Sequence, residues 1–330
     1  VINNRPDVAP ETRVRVERVI ARLGYRPSAI ARSLIHQRSH TLGVVATGLD
    51  YYGPSRTLVG IEKQVRVQGY SLLLDLLNHP ETEDVERILN RLLSRQVDGI
   101  LWTVPEIGNN RAWLRTSNLH LQVPVVFLSM DPRPDLAQAT IDNRLGGRLA
   151  TEHLVGQGCQ NIGIITGPLD WWEARQRQLG WQDALQAAGL PAGDRQVVEG
   201  NWSAASGERG IRDLLEQYPE MQAVFACNDQ MALGVLQAAH ALGRRVPRDL
   251  AVVGFDNIPE SAYFWPALTT VEQPLIDLGC KAVEMLADLI DSEGQNISPS
   301  SDQAITLRPE LVVRDSSVRV KDQTLIGGSN

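Results

Sequence analysis

At 330 residues, the chain is longer than one hydrophobic core usually covers, and its 43% hydrophobic and 22% charged content is ordinary for a globular protein. No run of about 18 apolar residues occurs, which excludes a helical membrane span, and a net charge of −7 excludes a protein that coats nucleic acid over its whole surface. The charge is uneven, however: residues 1–40 hold eight arginines against three acidic residues, a net +5, which leaves −12 for the remainder. A basic head on an acidic body is what results when only the head meets phosphates.

The opening VINNRPDVAPETRVR is polar and lacks the apolar core of a signal peptide. Pro10, Glu11 and Thr12 then start a helix whose apolar positions Val14, Val16, Ile20 and Leu23 recur at near-helical spacing until Gly24 stops it. So short an apolar stripe has no partner in residues 1–9, so we expect it to pack against preceding segments that are absent. Pro27 and Ser28 begin a second short helix, Ala29 to about Ile35, and the polar HQRSH reads as a linker into the body.

From Thr41 onward, apolar runs alternate with amphipathic stretches. Strands are predicted at Leu42–Ala46, Tyr70–Leu74, Gly99–Trp102, Val123–Leu128, Ile162–Thr166, Ala223–Ala226 and Leu250–Phe255. Helices are predicted at Ser55–Gln68, Thr82–Ser94, Arg144–Gly156, Trp172–Ala188, Ala204–Gln217, Asp229–Leu242 and Pro274–Asp291. This alternation predicts an α/β fold with doubly wound parallel sheets, two in number, with a break near Asp142. Ligands of such folds bind beyond the carboxyl ends of the strands, which directs attention to the loops at 47–55, 102–106, 129–135, 167–177, 200–206, 227–230 and 255–262.

The motifs of enzymes are missing. There is no glycine-rich nucleotide cradle, no H-E-x-x-H, no paired C-x-x-C and no G-x-S-x-G. Six histidines are dispersed, and Cys159, Cys227 and Cys280 have no metal spacing, as for buried thiols in a reducing cytoplasm. We therefore expect no catalytic residue, no metal and no cofactor.

Several strings along the chain resemble, in the right order, the LacI/GalR family of bacterial regulators. They are VAPETRVRVERVIARLGYRPSAIARSLIHQRSHTLGVV (8–45), Ile141-Asp142-Asn143 with Gly146-Gly147, EARQRQLGW (173–181), EGNWSAASG (199–207), ACNDQMALG (226–234), VVGFDN (252–257) and PALTTVEQP (266–274). The resemblance implies two subdomains of the periplasmic-binding-protein type behind a helical headpiece. Residues 1–27 would be the remnant of a helix-turn-helix and 28–40 the hinge helix and linker. Residues 41–141 with 272–300 would form the first subdomain, 142–271 with 301–316 the second, and 317–330 a flexible tail. It further implies a cytoplasmic homodimer that represses transcription, in which a sugar bound between the subdomains changes their angle and shifts the hinge helices that engage operator DNA, whether to release or to promote binding. Arg177 and Trp202 lie in strings nearest the lactose-repressor end of the family, which implies a galactoside or similar glycoside. A transport-type sugar-binding protein is the alternative, and the basic head at 10–38 speaks against it.

A neutral sugar offers hydroxyls and an apolar ring face, so its site needs carboxylates, amides, a guanidinium and an aromatic wall. Arg177 supplies a fork of donors, Asn228 and Asp256 stand at strand ends, and Leu275 lies where the family places an apolar pocket residue. Asp229 either grips a hydroxyl or caps the helix that follows. Trp202 is placed on the sugar ring, and one of the adjacent Trp171 and Trp172 should face the cleft, Trp171 being our choice. Trp102 stands between pocket and core, and Tyr51 or its neighbour Tyr52 covers the ligand from the first subdomain. Where the family carries a carboxylate this chain has Ser129, with Asp131 two residues on. On these grounds, removing Arg177 is expected to weaken the ligand and leave the fold intact. In the hinge, Leu34 matches the residue the family wedges into the minor groove, Ala31 permits close approach of paired hinge helices, and Arg32 and Arg38 are candidate phosphate contacts.

Overall fold

The computed structural model describes residues 8–24, 38–77, 85–107, 110–111, 113–116, 123–292 and 304–318. Helix α1 (Pro10–Leu23) begins on proline, whose missing N–H costs no intrahelical bond in the first turn, and ends on Gly24 at φ +58°. None of its residues is buried, so its apolar stripe of Val14, Val19 and Leu23 has no cover among the described residues. The expected hinge helix, with Ala31, Arg32 and Leu34, lies outside the described residues.

The body opens with β1 (Thr41–Ala46), α2 (Tyr52–Val67), β2 (Ser71–Leu76), α3 (Val85–Leu93) and β3 (Gly99–Trp102). A single turn, α4 (Trp113–Thr116), precedes β4 (Val125–Leu128) and β5 (Ala137–Ile141). Five of the six residues of β1 are buried, as a central parallel strand covered on both faces requires. In α3, Val85, Ile88, Leu89 and Leu92 form the buried stripe, spaced three and four residues apart.

After β5 the chain crosses to a second sheet. Asp142 caps α5 (Asn143–Gly156) by accepting the Leu145 amide at 2.8 Å. There follow β6 (Ile162–Thr166), α6 (Trp172–Ala187), β7 (Val197–Glu199), α7 (Ala204–Gln217), β8 (Ala223–Ala226), α8 (Asp229–Ala241) and β9 (Ala251–Val253). The parallel order is β7–β6–β8–β9. Then β10 (Thr270–Glu272) leads back to α9 (Leu275–Ser292), which packs on α2 beside the first sheet.

The last crossing departs from expectation. Strand β11 (Ala304–Leu307) pairs in parallel with β5, so the first sheet runs β11–β5–β4–β3–β1–β2. Only β12 (Glu310–Val312), antiparallel to β10, belongs with the second. The boundary set at 301 therefore moves to about 308: all five residues of β5 are buried, and its open edge needs a partner that the short string AITL does not announce. At the far end, Ser316 and Ser317 are wholly buried, and the Ser317 hydroxyl donates to Thr269 Oγ1 at 2.7 Å, so the body reaches past 316.

Backbone approach fixes the helix pairs. A Cβ on Gly147 of α5 would lie 2.2 Å from the Arg177 carbonyl oxygen, and one on Gly180 of α6 would lie 2.0 Å from that of Arg144. Only hydrogen at both positions lets α5 and α6 meet this closely, and their contact brings Arg177 against Asn143.

Candidate functional site

The carboxyl ends of both sheets open on one cleft lined by residues of both subdomains. Arg177 forms its floor and is 6% exposed. Its Nε donates to Asn143 Oδ1 at 2.8 Å and its Nη1 to the Cys227 carbonyl at 2.5 Å, while its Cζ lies 3.8 Å from the Phe255 ring centroid. Asp256 Oδ1 stands 4.0 Å from Arg177 Nη1 and accepts from Gln273 Nε2 at 2.6 Å. Burial pushes the Asp256 carboxyl up to about 6, against the opposing pull of the Arg177 charge and the Gln273 amide.

An aromatic wall joins the two subdomains. Tyr51, ahead of α2, meets Trp171 edge-on at 5.7 Å, and Trp171 meets Trp202 edge-on at 5.9 Å. The Trp202 ring lies directly over Gly167, where a Cβ would come within 2.1 Å of it. Trp171 is thus the tryptophan of its pair that lines the cleft, and Trp172 is buried beside it. The backbones also meet: Trp172 N donates to Glu106 O at 3.1 Å, and Ile107 and Trp171 form an antiparallel bridge. Of the six non-glycine residues at positive φ among those described, Ser129 (54°), Trp202 (69°) and Asp256 (113°) line the cleft. Such strain gathers where the surrounding packing serves a site.

Asn228 caps α8, its Oδ1 accepting the Met231 amide at 2.8 Å, and its Nδ2 donates to the Trp202 carbonyl at 2.9 Å. It therefore borders the cleft and also holds the Trp202 loop. Asp229 neither caps nor grips. Its oxygens accept from Thr270 Oγ1 at 2.6 Å and Ile258 N at 2.9 Å, and burial pushes its carboxyl up to about 8. Ser129 and Leu275 line the cleft as expected from the sequence.

Two expected residues do not. Trp102 is 1% exposed in the core beneath the cleft, tilted on Trp113 at 5.2 Å, because strand alternation sends Leu101 to one face of the sheet and Trp102 to the other. Asp131 is exposed and outside the lining; the positive φ at Ser129 turns the chain, and only the Asp131 amide is engaged, on Glu106 Oε2 at 2.8 Å. Arg38, expected on phosphate, bonds Asp291 Oδ1 at 2.6 Å and Ile290 O at 2.9 Å. Beside it Asp98 accepts the amides of Ser39 and His40 at 2.7 and 2.8 Å, so this end of the linker is anchored to the body.

Residues 151–317 match the model of the periplasmic binding protein-like domain. The HTH-type transcriptional repressor PurR of Edwardsiella ictaluri is 35% identical over 318 residues, 96% of this chain and 91% of the relative. The chain belongs to the LacI/GalR family. Among solved structures, the Lac repressor dimer bound to operator and the anti-inducer ONPF superposes with a TM-score of 0.82 at 29% identity, covering 96% of this chain and 93% of that one. The transcriptional regulator CelR in complex with cellobiose gives 0.75 at 30% identity, with the same coverage.

This LacI/GalR member carries two polar residues in its cleft that sequence reasoning missed. Glu173 sits one turn ahead of Arg177 on α6, and its buried Oε2 has no hydrogen-bond partner. Gln230, at the start of α8, lines the same cleft with a buried, unpartnered Oε1. In sequence an acid in the first turn reads as a helix-dipole partner, and a glutamine there carries no signal at all. Asn143 and Gln273, which orient Arg177 and Asp256, sit at the crossovers and were equally invisible.

Proposed function

We infer that the chain is a cytoplasmic repressor of transcription, not an enzyme, that binds operator DNA as a dimer and responds to a neutral sugar held in the cleft. The observation that carries this reading is the composition of the cleft: an aromatic wall shared by both subdomains over a floor of Arg177, Asn228 and Asp256. Aromatic faces cover the apolar side of a sugar ring, and the polar floor meets its hydroxyls. Because Tyr51 and Trp171 come from different subdomains, a ligand between them prefers one angle of closure, and that preference is what couples the cleft to the hinge and to DNA. Similarity over 96% of the chain leaves too few residues outside to omit the basic head, which favours a regulator over a transport-type binding protein. Tyr263 and Trp265, 88% and 95% exposed, offer an apolar surface on which we place the dimer contact. A galactoside is one candidate, and cellobiose, the ligand of the CelR structure, is another.

A thermal-shift screen over neutral mono- and disaccharides tests the reading, since a ligand at about 100 times its dissociation constant stabilises by about 2.7 kcal/mol. We expect at least one sugar to raise the melting temperature and to change operator affinity. Stabilisation by purine bases alone, with none from sugars, would overturn it.

A further inference from the structure

The polar groups of the cleft divide into those already satisfied and those left over. Arg177 has Nε and Nη1 committed to Asn143 and Cys227, and Asp256 is held by Gln273. Asn228 is spent on its helix cap and on Trp202. By contrast, Glu173 Oε2 and Gln230 Oε1 are both buried, both line the cleft and both lack a partner. A carboxylate or amide oxygen accepts, and a buried acceptor left unpaired is costly unless something else fills it. Two such atoms, in the first turns of α6 and α8 and bordering one cavity, call for a ligand that brings hydrogen-bond donors, while the buried, unpartnered Trp202 Nε1 offers it one donor in return.

We propose that Glu173, with Gln230, is the specificity determinant of this cleft: it reads the effector as a hydroxyl donor and rejects anionic sugars. The proposal rests on the sugar reading above and deepens it. Glu173 supplies a carboxylate from the second subdomain, and the Ser129 hydroxyl and Arg177 charge help to hold it against the burial that raises its pKa. Charge argues for the exclusion. Among the described lining residues, two carboxylates, Glu173 and Asp256, face one cation, Arg177, whose Nε and Nη1 already donate to Asn143 and Cys227. A phosphate or uronate entering there would meet more negative than positive charge in a partly desolvated site.

The test uses the whole chain with Glu173→Ala, Glu173→Gln and Gln230→Ala beside the parent. Melting temperature and calorimetric affinity are measured for cellobiose, lactose, maltose, glucose 6-phosphate and glucuronate. For the neutral sugar that stabilises the parent most, we expect Glu173→Ala to weaken binding at least tenfold, and Glu173→Gln and Gln230→Ala to weaken it less. Without ligand, Glu173→Gln should melt no lower than the parent, because it keeps the volume while removing a charge that burial disfavours; a glutamate held for the fold would lower it. Among monodeoxy analogues of that sugar, one should bind the parent at least tenfold more weakly yet bind Glu173→Ala as the full sugar does. The two anions should leave the parent's melting temperature unchanged. Neutral-sugar affinity within twofold of the parent in both Glu173 variants overturns the assignment while the sugar reading stands. Equal stabilisation of the parent by an anionic sugar overturns the exclusion. Stabilisation by no saccharide removes the sugar reading, and the assignment falls with it.

Discussion

Removing Arg177 should destabilise the second subdomain as well as weaken the ligand, contrary to what the sequence suggested. The guanidinium is 6% exposed and holds Asn143 Oδ1, the Cys227 carbonyl and the Asp256 carboxylate, while its face covers Phe255. Breaking a buried charge pair by deleting one partner costs about 3–5 kcal/mol, because the other charge is stranded. The two orphaned oxygens add a cost that overlaps with this one, so Arg177→Ala should lose about 4 kcal/mol. At roughly 2–4 °C per kcal/mol for a domain of this size, the ligand-free melting temperature at pH 7.5 should fall by on the order of 10 °C. The loss should shrink at pH 5, below the value of about 6 to which burial pushes Asp256, since the stranded carboxyl is then neutral. For the same reason the double variant Arg177→Ala/Asp256→Asn should melt higher than Arg177→Ala. Scanning calorimetry of the parent and both variants at both pH values checks the scheme. A single variant within 2 °C of the parent, or a double variant below the single, would refute it.

Ligand affinity should rise with pH across about 6. The raised Asp256 value means the carboxyl is protonated and electrically neutral below it, and a sugar hydroxyl donates better to the carboxylate formed above it. Calorimetry from pH 5 to 7.5 should show this slope reduced in Asp256→Asn, and an unchanged slope would remove Asp256 from the contact. Gly180→Val should cost more than about 1–3 kcal/mol in urea unfolding, because its Cβ would lie 2.0 Å from the backbone oxygen of Arg144, which cannot swing aside. Trp102→Ala should destabilise by about 3–5 kcal/mol, the cost of emptying a core site, whereas Trp171→Ala should mainly weaken the ligand. Trp265→Asp should shift the dimer towards monomer in analytical ultracentrifugation without altering the ligand-induced melting shift. An unchanged dimer would move the interface elsewhere.

Local pattern was enough for the alternating helices and the inner strands. Buried strands such as IGIIT (162–166) and AVFA (223–226) are continuous apolar runs, and a stripe such as that of α3 repeats at helical spacing. Both signals are written within ten residues of chain, so the two-sheet α/β frame and the loops bordering its cleft could be read directly. The strings around Arg177, Trp202, Asn228 and Asp256 likewise carried their own resemblance, and all four line the cleft. What stayed hidden depends on partners far away in sequence. Strand β5, AQATI, alternates apolar and polar residues like a half-exposed strand, yet all five are buried because β4 and β11 flank it, and β11 belongs to the first sheet because β5 has an edge to fill. Trp102 and Trp171 look alike as loop-end tryptophans. One falls on the core face of its strand and the other meets Tyr51 across the cleft, a difference set by packing and not by composition. The same holds for Arg177 and Glu173, four residues apart on α6. Sequence names both as polar groups on a helix, but Arg177 is satisfied by Asn143 and Cys227, thirty-four and fifty residues away, and Glu173 Oε2 is not satisfied at all. Hydrogen-bond satisfaction is a property of three-dimensional neighbours, so only the tertiary structure separates the arginine that holds the fold from the glutamate left free for a ligand.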